Sequence, residues 1–152
     1  MAPDRENSTT ITPKKCLVHA TTVALGNRAV MITGPSGSGK SALALQLMAY
    51  GLVLVADDQT CLNRATEGHI LTTSPTQIRG IIEARGVGLL AADTTNRAIL
   101  ALVIDMGVVE QARLPDHKVA IYLQQEIPLL HKVESCHFPA AVFQYLKGGR
   151  TA

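Results

Sequence analysis

Tryptophan is absent, and the 152 residues include only two phenylalanines and three tyrosines. A base-stacking platform for nucleic acid needs aromatic faces, so this scarcity argues against that class of binding. Net charge is nearly absent too. Fourteen Lys and Arg stand against twelve Asp and Glu, a formal +2 at pH 7, and only Lys14-Lys15 are adjacent basic residues. That is no electrostatic footprint for nucleic acid. No apolar run approaches the roughly 18 residues of a membrane span. The opening MAPDRENSTT has no apolar stretch of the kind a signal peptide carries. Cys16, Cys61 and Cys136 are odd in number and widely spaced, matching neither a disulfide framework nor a metal-ligand pattern. They read as reduced, buried thiols. The expected compartment is the cytoplasm, and neither nucleic acid nor membrane is an expected partner.

What the chain does have is a hydrophobic content of 47% with 17% charged residues, the balance of a globular protein, in one domain large enough for a real core. It also has Gly34-Pro35-Ser36-Gly37-Ser38-Gly39-Lys40-Ser41, a full match to the phosphate-loop pattern G-x-x-x-x-G-K-[ST]. Glycines let the backbone curl until several N–H groups aim at one anion. Lys40 adds a point charge, the Ser41 hydroxyl suits a Mg²⁺ bridging the phosphates, and a following helix presents its positive end. Residue usage alone gives such a match by accident in roughly 0.5% of chains this long. The flanks are right as well. Ala29-Val30-Met31-Ile32-Thr33 reads as a buried strand, and residues 41–50 are strong helix formers ended by Gly51.

Residues 16–25 read as one strand, joined by a Gly26-Asn27 hairpin turn to a strand over 28–33, so the loop strand has an antiparallel neighbour. Strands are predicted over 52–56, 59–63 and 70–72, with a turn at Thr66-Glu67-Gly68. Ser74-Pro75-Thr76 marks a break and a short helix start. The two glycines within residues 81–90 predict a sharply shaped loop leading into a strand. Residues 98–105 read as a central strand. A polar stretch over 110–118 carries Arg113. Strands over 119–123 and 127–130 and a helix over 138–147 complete the pattern. This is a mixed α/β sheet with few helices. The domain is expected over residues 15–147, with mobile segments over 1–14 and 148–152.

Reaction type must come from the other polar groups. Asp57-Asp58 closes an apolar strand, where one carboxylate can serve Mg²⁺, directly or through water, and the other can take a proton from a hydroxyl. Taken alone, the pair is also an ordinary solvated turn. Glu83 and Arg85 alternate along an extended segment, which puts both on one face; a carboxylate and a guanidinium there suit metal and phosphate, or merely form a surface pair. His19 belongs to the strand beside the loop strand and by itself reads more readily as structural. Arg113 is either an arginine reaching a transferring phosphoryl group or a solvated side chain. His69, His117, His131 and His137 carry no readable spacing. Tyr50 is the one aromatic near the loop in sequence, and a packing role suits it better than adenine stacking.

Together these pieces resemble the catalytic domain of the HPr serine kinase/phosphorylase family. His19 lies before the loop, GPSGSGKSALALQLMAYG follows, Leu54 to Asp58 gives LVADD, and residues 81–90 give IIEARGVGLL, similar to the family's Glu-x-Arg-Gly-x-Gly signature. The resemblance covers about residues 15–146. It implies a phosphoenolpyruvate-carboxykinase-like phosphate-loop fold and hexameric assembly. It also implies ATP or pyrophosphate bound on Gly34, Pro35, Ser36, Gly37, Ser38, Gly39, Lys40 and Ser41. Ser41, Asp57 and Glu83 would serve Mg²⁺. Asp58 would exchange the proton of the serine hydroxyl of the phosphocarrier protein HPr in both directions. His19, Lys40 and Arg113 would complete the active site, with Arg85 and Gly86 supporting it. Residues 127–132 would correspond to the stretch tied to dephosphorylation. About 15 residues precede the first strand, as in the short form of some Proteobacteria.

Two other readings compete. A small-molecule phosphate-loop kinase would usually carry an arginine-rich lid, and no such segment is visible. A nucleotide-binding regulatory module would bind tightly and transfer nothing.

Overall fold

The structure, a computed structural model, describes residues 14–65, 67–75 and 80–152. The expected N-terminal mobile segment up to residue 13, the turn position Thr66 and the short helix start at Thr76 lie outside the described residues.

One nine-stranded mixed sheet dominates. Its main path runs β1 (Lys15–Val18), β5 (Thr60–Arg64), β6 (Ile70–Thr73), β9 (Ala98–Val109), β3 (Arg28–Thr33), β2 (Ala20–Leu25), β4 (Val53–Ala56). β10 (Lys118–Tyr122) and β11 (Gln125–Lys132) form a hairpin that joins through β11 to β9. β7 (Ile81–Ala84) and β8 (Gly88–Ala91) make a separate two-stranded hairpin. The described residues contain two helices, α1 (Lys40–Ala49) and α2 (Phe138–Gly148). The expected mixed sheet with few helices is therefore the observed fold.

The reasons are largely local. β2 and β3 pair antiparallel from Ala20↔Thr33 to Leu25↔Arg28, closed by Gly26-Asn27, with Gly26 at φ 59. β9 is apolar on both faces because it is covered on both. Leu102, Ile104 and Met106 join the core under the helices, while Leu100 and Val103 join a second core on the opposite face. α1 buries Leu43, Ala44 and Leu47, and α2 buries Phe138, Val142 and Leu146, each set recurring at helical spacing. A buried leucine of this kind contributes about 1.5–3 kcal/mol. The helices touch where Tyr50, at the C-terminal end of α1, stacks on Phe143 in the middle of α2 with ring centroids 5.5 Å apart.

Four expectations need correction. The cysteines are not buried: Cys136 is exposed, and Cys16 and Cys61 are half-buried. Residues 16–25 are not one strand. β1 pairs with β5 while β2 pairs with β3 and β4, so the chain changes partners and bends at His19. β9 runs four residues past Asp105, to Val109, because β11 supplies a parallel partner out to that point. Residues 81–90 are strand on both sides of the glycine turn, not a loop feeding one strand. At the C-terminus, the Arg150 guanidinium donates to the Pro115 carbonyl.

Candidate active site

The loop follows β3 directly, and its shape depends on glycine. Gly34 has φ 138, and a Cβ there would stand 2.7 Å from Ser38 Oγ and 3.2 Å from the backbone nitrogen of Gly107. Gly39 caps α1 in the left-handed region, at φ 101. Lys40 is 8% exposed, and its ammonium donates to the carbonyls of Gly34 (2.9 Å) and Pro35 (3.1 Å). The lysine thus straps the loop from within and keeps a third N–H for an anion. Ser38 Oγ is buried without a hydrogen-bond partner among the described residues.

Asp57 is the hub beside the loop. Its Oδ1 accepts from Thr21 Oγ1 (2.9 Å) and Ser41 Oγ (3.1 Å), and its Oδ2 accepts from the Glu83 backbone N–H (3.0 Å). One carboxylate therefore ties together β2, the start of α1 and the β7–β8 hairpin. Asp58 turns the other way because its backbone is left-handed, at φ 70, a conformation that aspartate tolerates. Its Oδ1 lies 3.4 Å from His19 Nε2, with the two side chains 73% and 57% exposed. The bend between β1 and β2 puts His19 there, and the Ala20 N–H donates to the Asp58 carbonyl at 3.1 Å.

These groups surround an open cleft of about 460 Å³ whose lining includes His19, Thr21, Lys40, Asp58, Glu83 and Arg85. Ser36, Gly37, Gly39 and Ser41 reach it from the loop. Gly34 and Pro35 act through the carbonyls that hold Lys40. Gly86 forms the exposed turn of the hairpin, at φ 88. Arg113 is exposed on the connection between β9 and β10 and does not line the cleft. Tyr50 stands at the other end of α1 from the loop and stacks on Phe143, the packing role that suits it.

Thr21 escaped the sequence reading, and Lys132 entered it only as the end of the stretch 127–132, with no contact to the loop expected. Thr21 donates to Asp57 and accepts from the Asp58 N–H at 3.3 Å. Its signal was the pair Thr21-Thr22, fully buried within an apolar strand. Lys132, at the end of β11, donates to the Ser38 carbonyl at 3.3 Å, a contact between residues 94 apart that no local pattern announces.

The oxygen-rich set of Ser41, Asp57 and Glu83 fits a hard cation such as Mg²⁺. Among the described residues no three His, Cys, Asp or Glu side chains converge as a ready-made metal cage. That suits an ion that takes much of its shell from water and phosphate. Asp57, already holding three donors, is suited to orienting such a shell.

Known proteins bear on this arrangement. The family model described as "HPr Serine kinase C-terminal domain" matches residues 11–111. An HPr kinase/phosphorylase of Bordetella pertussis is 44% identical over 73 residues, which are 48% of this chain and 24% of that protein. One from Bacillus mycoides is 34% identical over 103 residues, 63% of this chain and 33% of that protein. One from Caldicellulosiruptor bescii is 40% identical over 72 residues, 47% of this chain and 23% of that protein. The matched region thus spans a third or less of these curated relatives. The solved structure of the Hpr(Ser) kinase/phosphatase from Coxiella burnetii superposes with a TM-score of 0.74 at 22% identity, covering 87% of this chain and 88% of that one. That likeness establishes a shared fold. With the phosphate loop, Asp58 and the Glu83 hairpin gathered on one cleft, Asp57 tying them together, and the family model covering about two thirds of its length, the chain belongs to the HPr serine kinase C-terminal domain family.

Proposed function

We propose that this domain is a Mg²⁺-dependent protein serine kinase/phosphorylase of the cytoplasm. It would transfer a phosphoryl group from ATP or pyrophosphate to a serine of HPr, and so act on the phosphotransferase system. The observation that carries this reading is the exposed Asp58–His19 pair at the mouth of the phosphate-loop cleft. A base that must meet a hydroxyl on a folded protein has to stand open to it. A small-metabolite kinase instead closes over its acceptor.

The chemistry follows from the residues. Loop N–H groups and the Lys40 ammonium hold the phosphate chain and stabilise charge on the transferring group. Bound Mg²⁺, served by Ser41 and Glu83 with Asp57 behind them, would neutralise the phosphate charges. Asp58 accepts the serine proton as the serine oxygen attacks, and His19 keeps the carboxylate aimed outward. In the reverse direction Asp58 returns the proton to the departing serine oxygen while inorganic phosphate takes the phosphoryl group, giving pyrophosphate. Arg85 adds positive charge on the facing wall of the cleft. Arg113 would enter only if its loop closes toward the cleft, or from a neighbouring subunit. A hexamer is the assembly we propose, and exposed Leu114, Val119 and Ile121, at 65%, 49% and 67%, offer apolar surface for it.

Asp58→Asn keeps size and shape and removes the base. It should lower phosphotransfer to HPr at least about a hundredfold while leaving nucleotide affinity within about threefold. A fully active variant would remove Asp58 from the proton transfer.

A further inference from the structure

β2 carries two adjacent threonines, Thr21 and Thr22, both without exposed surface, in a strand whose other residues are apolar. Buried hydroxyls need partners, and these two find theirs on one corner of the chain, residues 57–60. We propose that Thr21 is a positioning residue for the proton transfer: its hydroxyl fixes the direction of Asp58 and couples it to Asp57. The inference rests on the reading of Asp58 as the base that takes the serine proton.

Chemistry fixes the hydrogen-bond roles. A carboxylate only accepts and a backbone N–H only donates. The hydroxyl proton therefore goes to Asp57 Oδ1 (2.9 Å), and an oxygen lone pair goes to the Asp58 N–H (3.3 Å). Ser41 Oγ donates to that same Asp57 oxygen at 3.1 Å. A continuous chain thus runs from the first turn of α1 through Asp57 and Thr21 to the backbone of Asp58. Successive residues of a strand point to opposite faces, and on the other face Thr22 Oγ1 lies 2.8 Å from Thr60 Oγ1. Thr60 Oγ1 spends its proton on the Ala20 carbonyl at 2.9 Å, so Thr22 is the donor of that pair. β2 grips the corner from both faces of the sheet, and Thr21 is the grip on the side of the cleft.

Asp58 needs such support. Its side chain is largely exposed, with His19 Nε2 3.4 Å away, and its backbone stands at φ 70. An exposed side chain takes its direction from its backbone. A left-handed aspartate relaxes to the common extended or helical regions unless its surroundings hold it. Thr21 holds the N–H of that residue, and the Ala20 N–H holds its carbonyl at 3.1 Å. The strand itself does not require the hydroxyl. Valine would fill the same space and is a good strand former; what it lacks is the group that donates to one aspartate and accepts from the next.

Steady-state phosphorylation of HPr with MgATP separates the hydroxyl from the shape that carries it. Thr21→Val should lower kcat about thirtyfold or more and leave the KM for ATP within about threefold. Thr21→Ser keeps the hydroxyl and should recover the rate to within about fivefold of the parent. A double-mutant cycle with Asp58→Asn shows what Thr21 acts through: with the base already gone, Thr21→Val should cost less than about threefold. An equal loss in both backgrounds would mean that Thr21 serves the fold or Asp57 alone, and would overturn the inference. So would a Thr21→Val protein within about threefold of the parent. Thermal unfolding of the same samples shows whether each variant is folded at the assay temperature. If Thr21→Val is not, Thr21→Ser against Thr21→Ala isolates the same hydroxyl, and a serine variant no faster than the alanine one would overturn the assignment. A parent that binds ATP and leaves HPr unmodified removes the reading of Asp58, and the role of Thr21 with it. An active parent with an indifferent Thr21→Val removes this inference alone.

Discussion

Replacing Asp57 by Asn tests whether one carboxylate organises the site. Asp57 accepts three hydrogen bonds, from Thr21, Ser41 and the Glu83 backbone. Asparagine is nearly isosteric but has a single acceptor oxygen. If that oxygen stays with the two hydroxyls, the new NH₂ faces the Glu83 N–H, donor against donor. A hydrogen bond to a charged group is worth about 1.5–3 kcal/mol, and the exposure of the hairpin favours the lower end. A domain of this size loses about 2–4 °C for each kcal/mol, so the melting temperature should fall by about 3–8 °C. Catalysis should suffer more than stability. The lost bond aims the Glu83 end of a hairpin otherwise anchored by buried Ile82, and a displacement of about 1 Å costs roughly a hundredfold in rate. Thermal unfolding and phosphotransfer to HPr, measured on one preparation, check both halves. A melting temperature within about 1 °C of the parent, with rate constants within about threefold, would refute the hub role.

Other perturbations have equally definite outcomes. Gly34→Ala should abolish anion binding and lower stability by about 1–3 kcal/mol, because its Cβ would meet Ser38 Oγ at 2.7 Å and the backbone is left-handed at φ 138; calorimetry with pyrophosphate and thermal unfolding read this. Tyr50→Ala removes the stack on Phe143 and should lower the melting temperature by a few degrees while ATP affinity stays unchanged, whereas a large loss of ATP affinity would restore Tyr50 as a base platform. Glu110 titrates low because its carboxylate accepts the Ala112 N–H, with the Lys118 ammonium and the Gln111 N–H adding to the effect against the opposing influence of burial. A depressed carboxyl stabilises the fold above the ordinary value of about 4.3 and loses that contribution as pH falls through its folded value. The gap in melting temperature between the parent and Glu110→Gln should therefore be full near neutral pH and close in acid; a constant gap would contradict this.

Much of the fold was legible because its causes are local. The Gly26-Asn27 turn sets a two-residue hairpin, the glycine loop requires a strand before it and a helix after it, and the apolar run into β9 admits only a buried strand. What was not legible depends on partners distant in sequence. Nothing within residues 16–25 says that the first half pairs with β5 and the second with β3, yet that exchange bends the chain at His19 and brings it to Asp58. Aspartates in a pair are visible, but their division of labour comes from the left-handed backbone at Asp58. Glu83 and Arg85 could be placed on one face by alternation, and both line the cleft. Arg113 had no comparable geometric argument, and the structure leaves it outside the cleft. Thr21 enters only through a contact across 36 residues, and the bond that brings Lys132 to the loop spans 94.

In the proposed reaction an open cleft moves a phosphoryl group to and from a serine of a partner protein. Incubation with Mg²⁺, ATP and HPr, followed by mass analysis of HPr, tests it most directly, with a parallel reaction of serine-phosphorylated HPr and inorganic phosphate. The account predicts one added phosphate on a serine in the first reaction and release of pyrophosphate in the second. HPr left unmodified while ATP binds the loop would contradict it.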